Sequence, residues 1–173
     1  KKDFTFKDDI LETCKEYIKQ FDDISFLHIR RGDNVGREDY YPMPSAEWMG
    51  KMVEKHFPNK PILICTDDLD WVKSQDIFKD DKFNISETRV YYDTPVMIGG
   101  GSYAKSLVPY YDLCLMSLCN GAIIANSSLS WWGAWLQTAS DKKIVCQDPW
   151  YGPKLASNNT KDLYPESWIV EKI

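Results

Sequence analysis

Two adjacent arginines close an apolar run in FLHIRRGDNVGREDYY, residues 26–41, within a chain whose net charge is −5. A guanidinium pair in such a setting serves either to hold an anion or to meet carboxylates. On an extended strand Arg30 and Arg31 project to opposite sides, so one can reach into a crevice while the other pairs locally, with Asp33 at hand. The planar fork of such a group suits a phosphate. A surface arginine pair closed by a salt bridge would give the same letters.

NSSLSWW, residues 126–132, sets Asn126, Ser127, Ser128 and Ser130 where a helix should begin. Exposed N–H groups and hydroxyls at a helix start can hold an anion, although an ordinary cap needs only one such residue. In CTDD, residues 65–68, Asp67 and Asp68 follow a second apolar run. They can cap the next helix, or one can accept paired hydrogen bonds from the N1–H and amino group of guanine. A magnesium ligand is the weaker alternative. Trp131, Trp132 and Trp135 have core spacing, and Trp131 could also stack on a ligand. The glycines of GGGS, residues 99–102, fit neither phosphate-loop pattern, and Arg31-Gly32-Asp33 at a strand end reads as a chance adhesion tripeptide.

These residues need elements to position them. Short β-branched runs alternate with stretches of helical period, the signature of an α/β domain with a parallel sheet. Helices are expected over residues 9–21, 45–57, 69–78, 109–121 and 128–139, and strands over 24–30, 61–66, 88–93, 122–126 and 143–147. Residues 94–107 and the tail after Pro149 read as loops, the first of them long and mobile. Doubly wound order 3-2-1-4-5 would open a crevice between the first and fourth strands, because the connections following them leave on opposite faces. His28-Ile29-Arg30-Arg31 and Asn126-Ser127-Ser128 both end there.

Length and composition agree. A chain of 173 residues fits one domain and buries roughly 70% of its unfolded surface. A composition of 43% hydrophobic and 27% charged residues is that of a folded domain, and a pI near 5.1 argues against a nucleic-acid partner. The five cysteines are odd in number and sit in apolar runs, which suits free thiols and a cytoplasmic setting. With two histidines and no Cys-x-x-Cys pair, no zinc site is expected.

Three of these stretches together resemble the α-1,2-fucosyltransferases of glycosyltransferase family 11. HIRRGD (28–33) looks like the family's His-x-Arg-Arg-x-Asp motif, ICTDDLDWVK (64–73) is similar to its second motif, and DLCLMSLCNGAIIANSSLSWWGAWL (112–136) resembles its long third one. The resemblance implies the Rossmann-like C-terminal half of a two-domain GT-B enzyme. That enzyme inverts the anomeric carbon, uses no metal or other cofactor, and moves fucose from GDP-β-L-fucose to a galactose-terminated glycan. By position, Arg30 would contact the β-phosphate and stabilise the departing GDP. His28 and one of Asp67 or Asp68 would hold guanine, Asn126, Ser127, Ser128 and Ser130 would line the diphosphate, and Arg31 and Asp33 would brace the loop.

A Gly-Gly-x-Gly-Asn-Gln-like loop, expected in the family's N-terminal domain, does not occur in these residues. The chain therefore reads as a single donor domain, residues 1–173, lacking the acceptor-side domain and inactive without it. If such a preceding segment carried a membrane anchor, the setting would be the Golgi lumen instead. A nucleotide-sugar-binding module without catalysis is the competing reading.

Overall fold

The structure is a computed structural model that describes residues 4–86, 96–98, 102–104 and 109–173. Six parallel strands form its sheet: β1 (Ser25–Ile29), β2 (Ile62–Thr66), β3 (Phe83–Ile85), β6 (Gly121–Ile124), β7 (Lys143–Asp148) and β8 (Ile169–Lys172), in the order β3-β2-β1-β6-β7-β8. A separate antiparallel pair joins β4 (Val96–Ile98) to β5 (Ser102–Ala104).

The central strands are apolar along both faces because both faces are covered, as parallel sheets require. Phe26, Leu63, Cys65, Ala122, Ile124 and Cys146 pack against α1 (Asp8–Ile18), α4 (Pro109–Leu118) and α5 (Ser128–Leu136). Their alternate neighbours Leu27, Ile29, Ile62, Ile64, Ile123 and Val145 pack against α2 (Ala46–His56) and α3 (Leu69–Ser74). All five cysteines are buried free thiols. None of the described helices is long and apolar enough to cross a membrane.

Chain order and layering fix the crevice. Leaving β1, the chain crosses through α2 on one face to reach β2, and leaving β6 it crosses through α5 on the other face to reach β7. The switch point therefore falls between β1 and β6, which pair directly at Leu27↔Ile123. This is the doubly wound, Rossmann-like arrangement expected from the sequence.

Two boundaries differ from expectation. The strand beside β2 is Phe83–Ile85, earlier than the 88–93 anticipated, which lies outside the described residues. FNI is only three residues long and flanked by lysine and serine, so its periodicity is too short to read. At the other edge, β8 occupies a tail that read as loop. It pairs with β7 through Val145↔Ile169 to Asp148↔Lys172 and alternates half-buried with exposed residues. Of the expected loop over 94–107, the ladder of β4 with β5 is described and the remaining residues are not.

Candidate donor-binding site

β1 ends at Ile29, so Arg30 and Arg31 stand just beyond its carboxyl end, before a single 3-10 turn over Gly32–Asn34. Alternation carries Arg30 toward the face of α4 and α5, and Arg31 toward α3. Arg30 donates from Nη1 to Asp67 Oδ2 and from Nη2 to Asp33 Oδ1. Arg31 donates from Nε to Asp68 Oδ2 at 3.0 Å, and its guanidinium carbon lies 4.1 Å from the centre of the Trp71 ring. The sequence offered Asp33 as the local partner of whichever arginine turned from the crevice. Asp33 instead pairs with Arg30, and Arg31 is met by Asp68 and a tryptophan face.

The two aspartates after β2 complete this lattice. Asp67 Oδ1 accepts the Arg31 backbone N–H at 2.8 Å, and Asp68 Oδ1 accepts the Trp71 N–H at 3.1 Å, capping α3. Each of the four carboxylate oxygens thus already accepts a hydrogen bond from the arginine loop or the helix. Thr66 Oγ1 receives the Asp68 N–H at 3.0 Å and holds the turn. Gly32 passes close to this pair: a Cβ there would lie 2.5 Å from Asp67 Oδ2 and 2.8 Å from Arg30 Nη1, so either side chain would have to shift.

Arg30 and Asp67 form one wall of a cavity of about 330 Å³ at the switch point, with His28 and Thr66 beside them. Pro109 and Asp112 of α4, and Ser127 and Leu129 at the start of α5, complete its lining. His28 is 5% exposed, and its Nδ1 has no hydrogen-bond partner among the described residues. Burial, helped by the nearby Arg30 charge, pushes its pKa down to about 3, so the ring is neutral at physiological pH. The cavity therefore presents one guanidinium, one neutral imidazole, two hydroxyls and two carboxylates.

The hydroxyl-rich stretch divides. Ser127 reaches the cavity, and its side chain makes no capping bond to α5. Ser128 is exposed and lies outside, beside Trp132 in a separate apolar depression. Ser130 is fully buried, its hydroxyl turned back to Ala125 O at 3.3 Å and Ser127 O at 3.2 Å. Asn126 donates from its amide to Pro42 O at 3.0 Å and Trp150 O at 3.2 Å, stitching β6 to the loop after β1 and to the tail. Trp131 packs against Trp135 and Trp168 and donates from Nε1 to Leu163 O at 2.8 Å, away from the crevice.

Thr66, Pro109, Asp112 and Leu129 line the cavity without having been singled out by sequence. Asp112 carries a signal in retrospect. An acid three residues after a helix-starting proline reads as a helix-dipole partner, but α4 begins at the crevice, and its first turn therefore lines the cavity. Among the described residues no three His, Cys, Asp or Glu side chains are grouped so as to hold a metal ion.

Residues 1–172 match the sequence profile described as Glycosyl transferase family 11. The chain belongs to glycosyltransferase family 11. Two proteins of Escherichia coli are similar to it. The O-antigen biosynthesis glycosyltransferase WbnK is 29% identical over 178 residues, covering 96% of this chain and 52% of its own. The alpha-1,2-colitosyltransferase is 31% identical over 158 residues, covering 84% of this chain and 47% of its own. This family 11 chain thus spans about half the length of the curated relatives it matches. No solved structure matches it. In open α/β sheets of this kind, ligands bind beyond the carboxyl ends of the strands at the switch point.

Proposed function

We propose that this chain is the donor half of a fucosyltransferase of GT-B architecture, binding GDP-β-L-fucose in the cavity between β1 and β6. A second half would present the acceptor, a galactose-terminated glycan. In the transfer, the acceptor hydroxyl oxygen forms a bond to the anomeric carbon from the face opposite the diphosphate. The bond from that carbon to the phosphate oxygen breaks, and GDP leaves with the electron pair. The hydroxyl proton passes to a base, and the anomeric configuration inverts. The chain alone would bind donor and not complete transfer.

One observation carries this reading: Arg30 lies in the cavity wall at the switch point, held from two sides by Asp33 and Asp67. A guanidinium fixed before the substrate arrives stabilises charge on the leaving diphosphate without reorganising, and on this reading no metal ion is needed. Ser127 lines the same cavity from the start of α5, and neutral His28 offers a ring nitrogen to the base without adding charge. Asp67 and Asp68 serve here as positioning residues for the arginines. The α-1,2 linkage rests on the likeness to the alpha-1,2-colitosyltransferase, whose name makes a colitosyl group the second donor to try.

Calorimetric titration of the chain with GDP, and with ADP as control, both in EDTA, tests the proposal. GDP-selective binding that survives EDTA is expected. A folded chain that binds neither nucleotide, or binds GDP only with added metal, would overturn it.

A further inference from the structure

We infer that Trp71 is a positioning residue for the site: through Arg31 it fixes the loop from which Arg30 reaches the cavity wall, an inference that rests on the donor-half reading above for what Arg30 does there. Arg31 itself stands outside that cavity. Both its backbone groups and its side chain are engaged within the chain. The N–H donates to Asp67 Oδ1 at 2.8 Å, the carbonyl accepts the N–H groups of Asn34 and Val35 at 2.7 and 3.2 Å, and Nε donates to Asp68 Oδ2 at 3.0 Å. Arg31 is therefore the post on which the turn after β1 hangs. Asp67 links that post to the site, since its second oxygen accepts from Arg30 Nη1.

A single hydrogen bond at Nε leaves the plane of a guanidinium free to turn about it. The Trp71 ring supplies the second constraint, with the Arg31 guanidinium carbon 4.1 Å from its centre. Behind that ring stands a rigid support. Its centre lies 6.2 Å from that of Phe78, which is 5% exposed, and Phe78 meets Phe83 of β3 edge-on at 5.3 Å. An aromatic series thus runs from the edge strand of the sheet to the arginine loop. Asp68 secures the same joint, holding Arg31 with one oxygen and capping α3 at the Trp71 N–H with the other. Because the ring is neutral, it grips Arg31 without competing for Arg30, which is left to Asp33 and Asp67.

Nitrogen-15 NMR of the arginine side chains in the ligand-free chain, joined to titration with GDP, tests the inference. In the wild-type chain the ring current of Trp71 should shift the Arg31 Nε–H signal upfield, and the Arg30 Nη–H signals should be resolved, as in a guanidinium held from two sides. Trp71→Leu should move the first, merge the second through free rotation, and weaken GDP by about fivefold, the worth of one stacked cation. Trp71→Phe restores a flat face and should bring affinity to within about twofold of wild type. With Arg30→Ala already in place, Trp71→Leu should cost less than about twofold further, because the brace then has nothing to present. Thermal unfolding checks each variant, and Trp71→Met, which keeps bulk without a ring face, stands in if the leucine variant fails to fold.

A folded Trp71→Leu chain that keeps either the resolved Arg30 signals or the GDP affinity of wild type would overturn the inference while leaving the donor-half reading intact. An equal loss of affinity with and without Arg30 would overturn it too, assigning Trp71 to the stability of the fold alone. A wild-type chain that binds no nucleotide would overturn the donor-half reading, and the arginine signals of the free chain would still decide whether Trp71 braces Arg30.

Discussion

The loop after β1 and the start of α5 meet at one crevice, and both are dense in polar residues, yet they use them in opposite ways. After β1 the charged side chains are tied to one another, Arg30 to Asp33 and Asp67, Arg31 to Asp68, and the result is a guanidinium fixed at the cavity wall. Before α5 the polar side chains turn inward: Asn126 to Pro42 and Trp150, Ser130 to the backbone of its own turn, leaving Ser127 at the cavity. Charges must be compensated wherever they stand, and a lattice of ion pairs at a strand end keeps them near solvent. Hydroxyls and amides have no such restriction and can be absorbed into the fold. Polar density in a sequence therefore marks a site more faithfully when it is ionic.

The sharpest test of that division is Arg30→Ala. Loss of the guanidinium should lower transfer by the assembled two-half enzyme on the order of 10²–10³-fold, and weaken GDP binding by the chain, with the fold retained. Arg30 side-chain exposure of 32% makes its removal tolerable for folding. Steady-state kinetics and titration measure the effect, and unchanged GDP affinity would remove Arg30 from the site.

Asn126→Ala should show the opposite pattern. The amide is buried and holds Trp150 O, so its loss leaves a buried carbonyl without that donor, at about 1–3 kcal/mol. For a chain of this size each kcal/mol lowers the melting temperature by about 2–4 °C. Thermal unfolding should fall accordingly while GDP affinity stays within about twofold. A loss of affinity with an unchanged melting temperature would return Asn126 to the diphosphate.

These two residues also show what the sequence could and could not disclose. The alternation of apolar runs with helical stretches was enough for the doubly wound sheet and its switch point, because burial on both faces leaves a long, clear pattern. It was not enough for β3 and β8, which sit at the edges, run three or four residues and gain most of their definition from pairing. Arg30 and Asp112 were equally near the crevice, but only Arg30 stood out, since a charge inside an apolar run is unusual and an acid in a first helical turn is not. Which way Asn126 or Ser130 turns depends on Pro42 and on Ala125 and Ser127 backbone oxygens, contacts that no local spacing reveals.

His28 belongs to neither region but lines the cavity between them while buried in the sheet, and it gives the contrast a pH signature. Its folded pKa of about 3 lies below the ordinary 6.5, so the unfolded chain takes up the proton first. Its contribution to stability is whole above pH 6.5 and declines as pH falls from 6.5 toward 3. Between pH 6.5 and 5.5 the loss should be about 1 kcal/mol, or about 2–4 °C in melting temperature. His28→Gln should lack this step, and a wild-type melting curve that is as flat as that of His28→Gln across the window would show that the imidazole protonates freely in the folded chain.

The finest division is between Ser127 and Ser128, adjacent in sequence and on opposite sides of the start of α5. Ser127 borders the cavity with no capping bond to hold its hydroxyl, whereas Ser128 lies outside beside Leu113 and Trp132. A single neutral hydroxyl contributes about 0.5–1.5 kcal/mol to an interaction it makes, so Ser127→Ala should weaken GDP several-fold. Ser128→Ala should leave affinity unchanged, because Ser128 lines the separate depression beside Leu113 and Trp132 and not the cavity. Paired titrations of the two variants decide it. Equal losses at both positions would mean that the anion sits over the end of α5 and draws on its backbone N–H groups, moving the diphosphate away from Arg30 and weakening the contrast between the two regions.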